Sequence, residues 1–331
     1  MSDELQHSEA VLDVLSKSST RKTARRNFLT QAGIAGIGAL SAGTLLSQGP
    51  AAHATHNNPR IDTFLNGTVR INDFDILNFA LNLEYLEAEY YLRAAFNRGL
   101  NDADVTGIGN LGPVSGGSLV PFATQTIREY AQEIASDEEA HVKTLRAVLG
   151  SRRVARPAID LSDSFTTAAR AAGVIGPTDT FNPFADENSF LLGAFIFEDV
   201  GVTAYKGAAP LIKNRNILEA AAGLLAVEAY HAGEVRTVLY GRGQDAPGLI
   251  TAAQQISDLR DFLDENGDQD QGLTGNTTGP GSNIVPTDSN GLAYSRTPLQ
   301  VLKIVYGGRN TAEAAANDYL FFPNGVNGKI R

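Results

Sequence analysis

Glu138-Glu-Ala-His141 and Glu228-Ala-Tyr-His231 each place a carboxylate and an imidazole three residues apart. On a helix that spacing turns both side chains to one face, so each pair can grip one cation. Two further glutamates, Glu84 and Glu198, have no histidine beside them, and each is followed two helical turns later by a tyrosine, Tyr91 and Tyr205. One Glu from each of two helices, with Glu-x-x-His from each of two others, makes a ligand set for a pair of cations in a bundle core. The candidate metal ligands are therefore Glu84, Glu138, His141, Glu198, Glu228 and His231. Carboxylate and imidazole together suit two iron or two manganese ions. On this reading each Glu-x-x-His holds one ion, while Glu84 and Glu198 bridge the pair. Tyr91 and Tyr205 are the candidate catalytic side chains, as hydrogen-bond donors to ligands or carriers of oxidising equivalents; they read equally well as core tyrosines. Glu87, one turn from Glu84, reads as a solvated residue ahead of the alternatives, a hydrogen-bond partner of the ligands or an alternative ligand. Glu139 and Glu234 are expected to be exposed.

A single Glu-x-x-His is a weak signal, and context strengthens this one. The chain has five histidines, of which only His141 and His231 lie beyond residue 56. Both fall on stripes that are otherwise apolar at alternating steps of three and four. The stripes run Leu77, Leu81, Glu84, Ala88, Tyr91; Ala131, Ile134, Glu138, His141, Leu145; Leu191, Phe195, Glu198, Val202, Tyr205; and Ala221, Leu224, Glu228, His231, Val235. No lysine or arginine lies on any of them. An ionised carboxylate in an apolar core costs several kcal/mol unless it is paired or bound to metal. Two divalent cations would balance four such groups.

The elements that must position these residues are four helices, expected at 73–98, 121–149, 186–210 and 214–240. The second and fourth share one pattern (Ile127 with Ile217, Ala131 with Ala221, Glu138 with Glu228, His141 with His231). The first and third share another (Leu77 with Leu191, Glu84 with Glu198, Tyr91 with Tyr205). Two helix pairs thus form an internal repeat, joined by a long crossover over 151–185. The fold class is all-α, a four-helix bundle with one long crossover between helices two and three and a loop-rich C-terminal extension. Gly, Asn, Asp and Pro dominate from 241 onward, with one short helical pattern at 298–306. The acidic run from Asp264 to Asp270 lacks the glycine and glutamate of a calcium loop and reads as a surface loop.

Before the bundle, Ala24-Arg25-Arg26-Asn27-Phe28-Leu29 precedes a Gly- and Ala-rich apolar stretch, Ile34 to Leu46, and a small-x-small site at Ala52-His53-Ala54. This resembles a twin-arginine export signal. The stretch is too short and too mildly hydrophobic for a good membrane span. The expected organisation is a signal over 1–54, a bundle over 55–240 and a C-terminal extension over 241–331 packed on it. The expected location is periplasmic or extracellular.

Composition narrows the partners. The chain carries no cysteine and one methionine, so thiolate-bound metals are excluded. A net charge of −10 argues against nucleic-acid and anionic-membrane partners. A small-molecule substrate, peroxide or dioxygen, is the expected partner, and homo-oligomer formation is left open.

The two Glu-x₆-Tyr and two Glu-x-x-His segments resemble the ferritin-like superfamily, which includes rubrerythrins and manganese catalases. Asn82-Leu-Glu-Tyr-Leu-Glu-Ala-Glu-Tyr-Tyr91, Ser295-Arg-Thr-Pro-Leu-Gln-Val-Leu-Lys-Ile-Val-Tyr-Gly307 and Phe321-Phe-Pro-Asn-Gly-Val-Asn-Gly328 are more similar still to exported ferritin-like proteins related to plant desiccation-related proteins. The resemblance covers roughly residue 70 to the C-terminus. It implies a di-metal carboxylate centre with redox chemistry on peroxide or dioxygen under oxidative or desiccation stress. The alternative is a non-enzymatic stress-protection or structural protein, with a structural or lost metal site. The same ligand set serves several chemistries, so the reaction does not follow from the fold.

Overall fold

The computed structural model describes residues 71–265, 269–275, 281–308 and 319–331. The export signal expected over 1–54 and the arm that follows it lie outside these residues.

Helix α1 (Asp73–Phe96) starts where Asn72 and Asp75 form a capping box. It ends at Asn97, whose left-handed φ of 55° breaks the helical run. Helix α2 (Gln125–Leu149) begins later than the expected Pro121. Thr124 donates both its backbone N–H and its hydroxyl to Glu187, which fixes an extended N-cap there. The crossover is not wholly irregular. It contains strand β2 (Ile159–Leu161), paired in parallel with β1 (Val114–Gly116), and a short helix α3 (Asp163–Ala172).

Helix α4 (Glu187–Ala208) is capped by Asp186, whose side chain accepts from the Ser189 N–H. Helix α5 (Arg215–Gly243) is capped by Asn214 and runs past Gly241, the expected stop. An interior glycine costs a helix only about 1 kcal/mol. Here the Arg242–Glu187 ion pair at 2.9 Å anchors the last turn.

The bundle pairs α1 with α2 and α4 with α5. All five stripe residues of α1, and nearly all on the other three helices, are buried, so the apolar seams meet in one core.

The C-terminal region is loop-rich, as expected, and also carries a helix that the sequence reading did not place there. Helix α6 (Gly248–Asp264) lies within it and packs on α3, α4 and α5. Its apolar side is short (Leu249, Ala252, Ala253, Ile256) and continues into Arg260, which is fully buried. The many polar residues around that stripe hid the helical period. Helix α7 (Pro298–Val305) starts at a Thr297–Gln300 capping box.

The acidic run is not a surface loop at its ends. Asp264 and Asp270 are buried and both pair with Arg296, which is itself buried. Arg260 joins Asp270 to Asp199 on α4, and Arg236 of α5 reaches Asp199 at 2.7 Å. Three buried arginines and three buried aspartates therefore clamp the extension to the bundle. The C-terminus closes over α1. Asn327 and Asn82 exchange two hydrogen bonds, and Lys329 pairs with Asp75.

Candidate metal centre

All six sequence-predicted ligands are buried and converge at mid-bundle. Two overlapping groups form: Glu84, Glu138, His141 and Glu228 in one, Glu198, Glu228 and His231 in the other. Within each group the potential ligand atoms lie within 4.8 Å of one another. His141 Nδ1 stands 3.2 Å from Glu84 Oε2, 3.5 Å from Glu138 Oε2 and 3.4 Å from Glu228 Oε1. His231 Nδ1 stands 3.1 Å from Glu138 Oε1 and 3.9 Å from Glu198 Oε2.

One expectation needs correction. The central carboxylates are Glu138 and Glu228, from the Glu-x-x-His helices, and not Glu84 and Glu198. Glu138 faces both imidazoles, and Glu228 belongs to both groups. Glu84 and Glu198 are held at opposite ends by the two tyrosines. Tyr205 donates its hydroxyl to Glu84 Oε1, and Tyr91 donates to Glu198 Oε1. These cross-pairs also show that α1 and α4 run antiparallel. Burial pushes both phenols well up, and the adjoining glutamates push them further, so they remain donors.

The electrostatics are those of crowded acids around two imidazoles. Burial pushes the Glu84 carboxyl up to about 8, against the pull of His141. Burial likewise raises Glu198 and Glu228, and neighbouring carboxylates add to it. Burial would raise Glu138 too, but His141 and His231 outweigh it and hold this carboxyl well below its usual range. Burial opposes a charged imidazole, yet Glu138 and Glu84 raise His141 far above its usual value. Against the same opposition, Asp137 and Glu138 bring His231 up to about 11.

Several polar atoms have nothing to bond. Both oxygens of Glu138 and of Glu228, Glu198 Oε2 and His231 Nδ1 are buried without a hydrogen-bond partner. His231 Nδ1 is close to Glu138 Oε1 but not aligned for a hydrogen bond. Buried polar atoms are seldom left this way. Oxygens and an imidazole nitrogen, all aimed into one space, fit cation binding.

The sequence reading missed Gly201 and Asp137 beside the cluster, and it favoured solvent for Glu87. Glu87 is buried, not solvated, because the C-terminal extension covers the outer side of α1. Gly201 makes room for the central carboxylate, since a Cβ there would lie 2.5 Å from Glu228 Oε2. Asp137 accepts from His231 Nε2 at 3.3 Å, and its own side chain is 45% exposed. The signal for Asp137 was its place directly before Glu138. The matching residue in the second motif is Val227, so only one motif carries an acid there. Glu139 and Glu234 are half-buried rather than exposed.

The comparisons with known proteins agree with this geometry. Residues 72–241 match the ferritin-like domain family. The chain is 33% identical to the desiccation-related protein PCC13-62 of Craterostigma plantagineum over 276 residues, covering 78% of this chain and 84% of that protein. It is 31% identical to the ferritin-like catalase Nec2 of Nesocodon mauritianus over 285 residues, covering 82% of this chain and 88% of that one. No solved structure matches the chain. With its helix pairs, its buried Glu/His cluster and this similarity along most of its length, the chain belongs to the ferritin-like family and is related to the desiccation-related proteins.

Proposed function

We propose that this chain is an exported di-metal carboxylate protein, holding two iron or two manganese ions and acting on peroxide or dioxygen. The observation that carries the proposal is the set of unpartnered carboxylate oxygens of Glu138, Glu198 and Glu228 around two imidazoles. Glu84, Glu138, His141, Glu198, Glu228 and His231 would hold the ions, with Glu138 and Glu228 shared between them. The chemistry such a pair supplies is two one-electron changes, enough to oxidise or reduce a peroxide.

The chain's own residues orient and protect the site. Asp137 accepts a hydrogen bond from the Nε2–H of His231, so that in the neutral ring the Nδ1 lone pair faces inward. Tyr91 and Tyr205 each occupy one oxygen of an end glutamate; the other oxygen of Glu84 faces His141 and that of Glu198 is unpartnered. The apolar seams exclude water, which strengthens every charge interaction inside. The protons that His141 and His231 hold must leave when cations enter, so loading is coupled to proton release.

The named catalase relative supports a peroxide substrate, and the net charge of −10 supports a small-molecule partner over nucleic acid or membrane. Export by the twin-arginine route rests on Arg25 and Arg26. Among the described residues no helix is long and apolar enough to cross a membrane. A second reading, non-enzymatic protection under desiccation, is favoured by the relative of that name.

The deciding experiment is elemental analysis of protein exported by its own cell, followed by a peroxide assay on the same material. Two ions per chain and peroxide breakdown that His141→Ala abolishes are expected. Metal-loaded protein without turnover on peroxide or dioxygen would favour the protective reading, and protein that neither carries nor takes up metal would refute the metal centre.

A further inference from the structure

We propose that Glu87 is a seventh protein ligand of the metal centre, approaching it from the α1/α4 side beside Glu228. This rests on the di-metal reading above and adds a residue to it.

Glu87 is only 6% exposed, one helical turn beyond Glu84. Among the described residues it makes no hydrogen bond and no ion pair, which sets it apart from the other buried acids of α1. Asp75 has Lys329, and Glu89 has Arg93 and Arg156. The charged groups that act most strongly on Glu87 are carboxylates of the cluster, Glu228 first.

The internal repeat explains that position. Glu87 and Gly201 occupy equivalent places, three residues after Glu84 and three after Glu198. Because Tyr91 meets Glu198 and Tyr205 meets Glu84, the antiparallel register sets Glu87 level with Gly201, midway between the two end glutamates. A Cβ on Gly201 would be 2.5 Å from Glu228 Oε2 and 3.5 Å from Glu87 Oε1. The absence of a side chain on α4 thus opens the space that the Glu87 and Glu228 carboxylates share. Both histidines come from α2 and α5, so Glu87 approaches from the other helix pair.

On its outer side Glu87 faces mostly apolar side chains. There it borders a cavity of about 20 Å³, room for one water at most, whose other walls include Leu86, Phe197, Val200 and Phe321. The remaining polar environment is the centre itself. With Glu87 the centre has five carboxylates and two neutral imidazoles. Two divalent ions leave one negative charge uncompensated, whereas a divalent and a trivalent ion together balance it.

Cobalt(II) titration of the mature protein, followed by its visible absorption, tests this. Wild type should bind two Co(II). Glu87→Gln should bind them at least about tenfold more weakly and with a shifted visible spectrum, as expected when a ligand is replaced. Its metal-free melting midpoint should be no lower than that of wild type, since the amide replaces a buried acid without a partner. A crystal structure of manganese-loaded wild type gives a check that needs no variant. Glu87 should coordinate at the ordinary oxygen–metal distance, about 2.0–2.6 Å. Two Co(II) bound by Glu87→Gln with unchanged affinity and spectrum, or Glu87 far from both ions in the loaded crystal, would overturn the ligand alone. Failure of wild type to bind Co(II) would overturn the metal centre and this ligand with it.

Discussion

Gly201 and the two site tyrosines show how single residues set the geometry of the centre. Gly201→Ala should strengthen the metal-free helix, because alanine is favoured over glycine by about 1 kcal/mol in a helix interior. The added methyl would also push Glu228 from its place, so manganese affinity should fall while the metal-free melting midpoint holds or rises. Paired calorimetric titration and thermal melts would show both. Tyr205→Phe removes the donor to Glu84 and should cost about 1–3 kcal/mol, the penalty for an orphaned buried acceptor. Urea unfolding of the metal-free variant measures it, and an unchanged midpoint would mean the hydroxyl does not hold Glu84. At this scale the six converging residues were legible because charged residues interrupt apolar seams. Glu87 was not, because a narrow stripe on α1 leaves it outside, whereas α1 is buried almost all round by the extension. The sharing of Glu138 and Glu228 was also hidden, since spacing along a helix says nothing of which carboxylate faces the opposite imidazole.

Helix ends and helix-to-extension contacts follow from charged side chains more than from local propensity. Thr124 and Glu187 set the start of α2, and Glu187 with Arg242 holds the end of α5. These partners are far apart in sequence, which explains why Pro121 and Gly241 misled. The Arg236–Arg260–Arg296 network is the larger case. Its acids sit beside Glu198 or in a stretch that reads as polar loop, so only the tertiary structure shows them buried. Arg296→Ala would leave Asp264 and Asp270 buried with one cation fewer between them. Breaking a buried ion pair from one side costs about 3–5 kcal/mol. Urea unfolding should show a loss of that size. A loss below about 1 kcal/mol would mean that the extension is held by its apolar contacts alone.

For the whole molecule, the proposed export and the pH dependence rest on residues far apart in the chain. Replacing Arg25 and Arg26 with lysine should trap the precursor in the cytoplasm, read by immunoblot of cell fractions; normal export would remove the twin-arginine route. The sign of the pH effect comes from the raised groups. Glu84, raised to about 8, stabilises the metal-free fold fully below its unfolded value of 4.5, and this is lost as pH climbs through 8. His231, raised to about 11, contributes fully below 6.5 and loses that contribution toward 11. Glu138, held low, contributes above 4.5 and loses this only in stronger acid. The metal-free protein should therefore be more stable at pH 5.5 than at pH 8.

Thermal unfolding of wild type and Glu198→Gln, each with and without manganese at pH 5.5 and pH 8, tests whether these carboxylates exist to hold cations. Glutamine keeps an acceptor for Tyr91 and removes one charge from the cluster. Manganese at about one hundred times its Kd should stabilise wild type by about 2.7 kcal/mol per site. That corresponds to a rise in midpoint of roughly 5–10 °C, larger at pH 8. Glu198→Gln should melt higher than wild type without metal at pH 8 and gain less from manganese. A wild-type midpoint that ignores both manganese and iron, together with a metal-free Glu198→Gln that melts lower than wild type, would mean that the four glutamates form a hydrogen-bonded polar network and no metal centre.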